Sequence, residues 1–219
     1  MGEQVRVTGM VLKESDIGEY DKRLVILTCE RGRITAFARG VRRPGNFLMA
    51  CSNPFVFGTF SLNEGRDAYT LRSAEVTNYF REITADIEAT FYGYHFLEFA
   101  DYYGRENVEA VDMLKLLYQS LRALLKGSLP NRLVKNVFEL KMMQLNGEYS
   151  ETPRRTVSES AQYTWEYVLY STIEKLYTFT VTDEVLREFE RCVEDNKRRF
   201  VDKTFHSLDI LSVLVDNVT

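Results

Sequence analysis

The sequence predicts an α+β chain: an N-terminal five-stranded barrel of roughly 80 residues, then an all-helical C-terminal domain. Three observations predict it. Through residue 76 the apolar residues come in short Val- and Thr-rich runs broken by glycine. From Thr84 onward their spacing changes to a helical period. The charge changes at the same place, from eleven Lys/Arg against nine Asp/Glu in residues 1–80 to 17 against 23 in 81–219. A chain of 219 residues has room for two such domains, expected at 1–80 and 81–219.

The strand-like runs are residues 4–13, 23–29, 33–41, 54–62 and 66–73. Arg31-Gly32 and Asn63-Glu64-Gly65 read as tight hairpin connections. Gly9, Gly40 and Gly58 interrupt the runs where a barrel needs bulges or corners. Five strands closing in so short a span suggest an OB-fold. A helix is expected over 85–103, with Ile87, Phe91, Tyr94, His95 and Glu98 on related positions. Val108, Val111, Leu114, Leu117, Leu121, Leu124 and Leu125 mark a second. Pro130 opens a third, which Asn146-Gly147 ends. Residues 148–159 are polar and contain Pro153, so they read as an exposed loop. Helices are expected again over 160–177, 183–201 and 208–215.

Composition and motifs exclude several classes. Cys29, Cys51 and Cys192 are odd in number and far apart, which excludes a disulfide scaffold and a local CxxC metal site. Isolated thiols suit a reducing cytosol. The first residues lack the basic and apolar regions of a secretory signal, and no apolar run reaches the roughly 20 residues of a membrane helix. A cytoplasmic protein without membrane partners is expected. GxSxG, Walker A, GxGxxG and HExxH are all absent. His95 sits among Tyr94, Phe96 and Phe99 as a core histidine would, and His206 precedes Ser207 near a helix start. Asp183-Glu184 and Glu194-Asp195 mix with Arg187, Arg191 and Lys197 on a charged helix surface. No catalytic set, metal site or cofactor is expected, and a binding protein is favoured over an enzyme.

Two basic patches stand out. Arg31, Arg33, Arg39, Arg42 and Arg43 fall within 13 residues, and no acid occurs from Arg31 to Leu62. Strand alternation puts Arg33, Thr35, Phe37 and Arg39 on one face and Ile34, Ala36 and Ala38 on the other. Lys22 and Arg23 begin the preceding run. Cations flanking an aromatic ring suit single-stranded nucleic acid, whose phosphates and bases they meet respectively. The same run is also compatible with a solvated face, and Phe37 with an interdomain position. The second patch is Arg122, Lys126, Arg132, Lys135 and Lys141, beside Leu125, Leu129, Leu133 and Phe138. It is either a basic-rimmed groove for an acidic, hydrophobic-ended peptide or an ordinary amphipathic helix.

Residues 11–46, VLKESDIGEYDKRLVILTCERGRITAFARGVRRPGN, closely resemble the N-terminal domain of the RecO family of bacterial DNA repair and recombination mediators. The shared positions are Val11-Leu12, Gly18-Glu19, Asp21, Thr28, Gly32, Ala38, Gly40 and Arg42-Arg43. Phe138-Glu139-Leu140 through Leu145-Asn146-Gly147 and the FHSLDIL run at 205–211 resemble later family segments. The resemblance implies a non-enzymatic, cytoplasmic, nucleoid-associated protein that binds single- and double-stranded DNA and anneals complementary strands. With RecR it would help load RecA onto strands coated by single-stranded DNA-binding protein, with RecF as a further associate. It places DNA contacts at Lys22, Arg23, Arg33, Arg39, Arg42 and Arg43, to which the residue pattern itself adds Arg31 and Phe37. The acidic tail of the coating protein would meet the helical domain, for which Arg122, Arg132 and Lys135 are the candidates. An adaptor whose barrel docks proteins and binds little DNA is the alternative. Many members carry four zinc-ribbon cysteines after the equivalent of Gly147, but residues 148–163 here contain none. No zinc is expected.

Overall fold

The computed structural model describes residues 3–216, without the side chains of residue 212 and residues 214–216. Five strands, β1 (Gln4–Ile17), β2 (Asp21–Thr28), β3 (Gly32–Ala38), β4 (Phe57–Glu64) and β5 (Tyr69–Asn78), form a closed barrel in the order β1-β2-β3-β5-β4. All pairs are antiparallel except β3–β5, where Ala36 meets Tyr69 and Phe37 meets Thr70. Alternation builds the interior. Leu24 and Ile26 from β2, Ile34, Ala36 and Ala38 from β3, and Phe60 and Leu62 from β4 meet in one buried cluster. The small side chains of Ala36 and Ala38 suit a narrow five-stranded interior.

Strand ends differ from expectation for physical reasons. Residues 13–17 of β1 lie past the apolar run, yet they pair with β2 out to Ile17 opposite Asp21. This is a hairpin arm largely open to solvent, so no hydrophobic alternation marks it. β5 starts later than expected because Gly65 N–H donates to the Ala68 carbonyl at 3.0 Å and closes a turn there. A register shift between Phe57 and Gly58 supplies a bulge at that glycine.

The helices are α1 (Ile87–Tyr103), α2 (Val111–Lys126), α3 (Asn131–Leu145), α4 (Glu159–Tyr170), α5 (Asp183–Phe200) and α6 (Ser207–Asp216). The chain forms two compact units. One holds everything through Arg81 together with Ala100–Leu114, and the other holds Glu82–Phe99 and the chain from Lys115 on. The boundary thus falls inside α1, and its last turn belongs with the barrel. Within the helical unit α3 is buried from Leu133 to Met143 and packs on α4 and α5. Phe138 stacks on Phe96 at 4.3 Å, and Phe99 packs against Phe205 at 4.8 Å.

The helix expected over 160–177 stops at Tyr170. Ser171 is extended, and a 3-10 turn at Ile173–Lys175 follows. Lys141 explains the stop. Its ammonium is buried and donates to the carbonyls of Leu169 at 2.7 Å and Ser171 at 3.0 Å, where a helix C-terminus presents unpaired acceptors. Lys141 is therefore an internal cap and not part of a basic surface. Val108 and Val111 are exposed, because α2 begins only at Val111.

Candidate nucleic-acid interface

The expected face of β3 forms in part, because the strand ends at Ala38 and Arg39 falls in the turn that follows. Ile34, Ala36 and Ala38 are buried, while Arg33, Thr35 and Phe37 alternate with them on the outer side, half-buried. Arg23 of β2 stands directly across from Phe37, and Leu27 across from Arg33.

The two ends of this face differ. At the first, the segment after α1 runs along the β2–β3 turn. Arg33 N–H donates to the Arg105 carbonyl at 3.1 Å, Asn107 N–H to Arg31 at 2.9 Å, and Ala110 N–H to Cys29 at 3.0 Å. Gly32 makes the approach possible. Its φ is +62°, and a Cβ there would sit 2.1 Å from the Arg105 carbonyl oxygen. The Arg33 guanidinium is ion-paired with Asp101. Arg31 is half-buried.

The second end is built from the β1–β2 turn and the loop after β3. Gly40 turns the chain with φ +63°, and its N–H donates to Asp21 Oδ1 at 2.7 Å. Arg42 N–H donates to the Tyr20 carbonyl at 3.0 Å. Asn46 closes the loop, donating through Nδ2 to the Gly40 carbonyl and accepting Leu48 N–H through Oδ1, both at 2.8 Å. The Arg43 guanidinium lies 5.0 Å above the Tyr20 ring. Neighbouring acids occupy two cations: Lys22 pairs with Glu14, and Arg42 with Asp16 at 3.1 Å. Arg23, Arg39 and Arg43 are exposed and make no ion pair with an acid among the described residues. The eight expected residues therefore divide into three ion-paired cations, Lys22, Arg33 and Arg42, the half-buried Arg31, and an open strip of Arg23, Phe37, Arg39 and Arg43.

Two aromatic neighbours escaped the sequence reading. Tyr20 lies under Arg43, and Phe47 projects from the loop with 75% of its surface exposed. The signal for Phe47 was its place just after Arg-Arg-Pro-Gly in the acid-free stretch. The Tyr20 hydroxyl is held above its ordinary value, first by its hydrogen bond with Glu19 and then by burial, against the pull of Arg43.

The second patch does not form as expected. Lys135 is buried and pairs with Glu139 at 3.3 Å, because the apolar packing of α3 carries it inward. Glu139 is fully buried, receives Lys197 at 3.1 Å, and lies 2.7 Å from His95 Nε2. Burial opposes its charged form, but Lys135, the His95 hydrogen bond and Lys197 outweigh it and hold the carboxyl well below the usual carboxylate range. Arg132 is ion-paired with Glu190. Arg122 alone of the three candidates is exposed and without an acidic partner among the described residues.

The loop after Gly147 offers no donor set for zinc, having no cysteine, and no group of three His, Cys, Asp or Glu among the described residues is placed to hold a metal. Side chains fasten it instead. Buried Asn196 accepts Ser150 N–H at 3.1 Å and donates to the Glu148 carbonyl at 3.0 Å, and the Trp165 indole donates to the Ser150 carbonyl at 3.1 Å. No helix among the described residues is long and apolar enough to cross a membrane.

A closed β1-β2-β3-β5-β4 barrel is an OB-fold, a class of small barrel that binds oligonucleotides and other ligands over one face. Residues 1–80 match the family model for the recombination protein O N terminal, and residues 84–154 that for the recombination protein O C terminal. The DNA repair protein RecO of Acetivibrio thermocellus is 25% identical over a 243-residue alignment that covers 96% of this chain and 97% of that protein. Those of Caldicellulosiruptor bescii and Bacillus subtilis are 33% and 31% identical over 143 residues. These two matches cover 65% of this chain and 58% and 56% of the relatives. The chain belongs to the RecO family.

Proposed function

We propose that this protein serves DNA repair and recombination by binding DNA along the open strip of its barrel. The observation that carries this is the set Arg23, Phe37, Arg39 and Arg43, in which three exposed cations lack acidic partners among the described residues, with Arg23 directly across from Phe37 and Arg43 over Tyr20. Tyr20 and Phe47 extend the aromatic surface. Cations spaced along a barrel edge follow phosphates, and rings stack bases without regard to sequence. Such a surface holds single strands, accepts duplex through its phosphates, and lets complementary strands meet and anneal. Working with RecR in the cytoplasm, it would assist RecA loading on strands coated by single-stranded DNA-binding protein. On α2, Arg122 and, one turn on, Lys126 are the exposed cations without an acidic partner among the described residues that could meet that protein's acidic tail.

The test is fluorescence anisotropy with labelled oligonucleotides. Arg39→Ala/Arg43→Ala is expected to weaken single-strand binding about tenfold and to lower the magnitude of the salt slope by about 1.4. Arg33→Ala, which removes a cation already paired with Asp101, should have a smaller effect. Equal affinity in the wild type and the double variant would remove the strip from the interface.

A further inference from the structure

The helical unit carries a second built surface, unrelated to the cationic strip. α4 and the segment leading into α5 bound a groove of about 940 Å³. Tyr163, Tyr167 and Phe179 form its aromatic wall, and Glu159 and Glu166 stand on its rim. No lysine or arginine is among its lining residues. The spacing accounts for the wall: Tyr163 and Tyr167 are one helical turn apart on α4, with ring centroids 6.3 Å apart. Phe179 meets Tyr167 edge to face at 4.9 Å.

The groove is preformed. Tyr167 Oη donates to the Lys175 carbonyl at 3.1 Å, which fixes its ring. Ser158 caps α4, accepting Ala161 N–H, and its hydroxyl donates to Glu188 on α5 at 2.6 Å. Thr182 caps α5 in the same way. Tyr163 nevertheless keeps 67% of its surface exposed, and nearby Tyr170 71%. Residues 157–185 hold five acids and one lysine. An aromatic face attracts cations through its quadrupole. The rim carboxylates do the same and repel phosphate or an acidic tail. Charge complementarity therefore selects the occupant.

We propose that this groove docks an extended, arginine- or lysine-bearing segment of a protein partner, whose cationic heads lie over Tyr163 and Tyr167 and pair with Glu159 and Glu166. The proposal does not depend on DNA binding by the barrel. The probe is a short fluorescein-labelled peptide of alternating Arg and Pro, read by anisotropy against the full chain. The wild type should bind it in a salt-sensitive way and ignore the matching Glu-Pro peptide. Glu159→Lys/Glu166→Lys should lose at least about tenfold in affinity, and Tyr163→Ala about two- to fivefold. Asp67→Lys, a charge reversal on the barrel's β4–β5 turn, should leave binding unchanged. Equal binding by all four proteins would remove the groove from the interaction and overturn the proposal, and a loss in Asp67→Lys in proportion to its charge change would overturn it by reducing the effect to overall charge. It would equally be overturned by an oligonucleotide that binds the wild type more tightly than the Glu159→Lys/Glu166→Lys variant. Sedimentation showing a wild-type dimer that the same reversal dissolves would assign the groove to a second copy of the chain.

Discussion

The carboxylate of Asp21 takes the Gly40 N–H at 2.7 Å, and that bond closes the loop from which Arg39, Arg42 and Arg43 project. A hydrogen bond to a charged group in a partly buried setting is worth about 1.5–3 kcal/mol. Asp21→Ala is therefore expected to lower stability by about 2 kcal/mol in urea unfolding and to weaken oligonucleotide binding as the loop loosens. Asp21→Asn, which keeps an acceptor, should retain most of both. Full affinity in Asp21→Ala would show that the loop's geometry does not matter to binding. The arginine run itself was legible in the sequence, because charge density along a chain needs no tertiary information. Its partners were not: Asp101 is 68 residues from Arg33. Several family-shared positions prove architectural at this scale. Asp21 and Gly40 set the loop, and Thr28 Oγ1 donates to the Gly32 carbonyl at 2.9 Å while accepting Arg31 N–H at 3.1 Å.

Elements repeat that contrast between periodicity and pairing. The apolar stripes of α2 and α5 were readable because each buries one face, whereas α3 is buried on all sides from Leu133 to Met143 and carries its charged residues inward. The β1–β2 arm was not, being exposed, and neither was the end of α4, which depends on Lys141 from α3. The same inward turn of α3 delivers Glu139 to Lys135 and Lys197, and there a pH prediction belongs. The folded carboxyl lies below its unfolded value, so its contribution is complete above the ordinary carboxylate range and is lost as pH falls below it. Glu139→Gln leaves two lysines without their buried counter-charge and is expected to cost about 3–5 kcal/mol near pH 7. The variant should also show a shallower loss of stability than the wild type between about pH 5 and pH 3. Denaturant unfolding at several pH values checks both, and parallel curves for the two proteins would remove Glu139 as the acid-sensitive group.

For the whole molecule, the net charge of −4 speaks against nucleic acid only if charge is averaged. Averaging over compact units does not rescue the idea of a basic barrel, however. Ala100–Leu114 belongs with the barrel and brings four acids and one arginine, so that unit balances thirteen Lys/Arg against thirteen Asp/Glu. Asp101, one of those acids, takes the Arg33 end of the face. At physiological ionic strength exposed charges act over about 8 Å, so a phosphate at Arg39 responds to the cations beside it and little to acids farther away. The number of released counterions should follow the open cations, Arg23, Arg39 and Arg43, and not the eight residues of the sequence reading. Three contacts give a slope of log affinity against log salt of about −2 on single strands, or roughly a twentyfold loss between about 50 and 200 mM salt. A slope near zero would remove the electrostatic surface altogether. A slope of about −5 would mean that Lys22, Arg33 and Arg42 exchange their acids for phosphate on binding and that half-buried Arg31 joins them. In that case Asp101→Asn, which frees Arg33 beforehand, should raise affinity for DNA, whereas with the open strip alone at work it should leave affinity nearly unchanged.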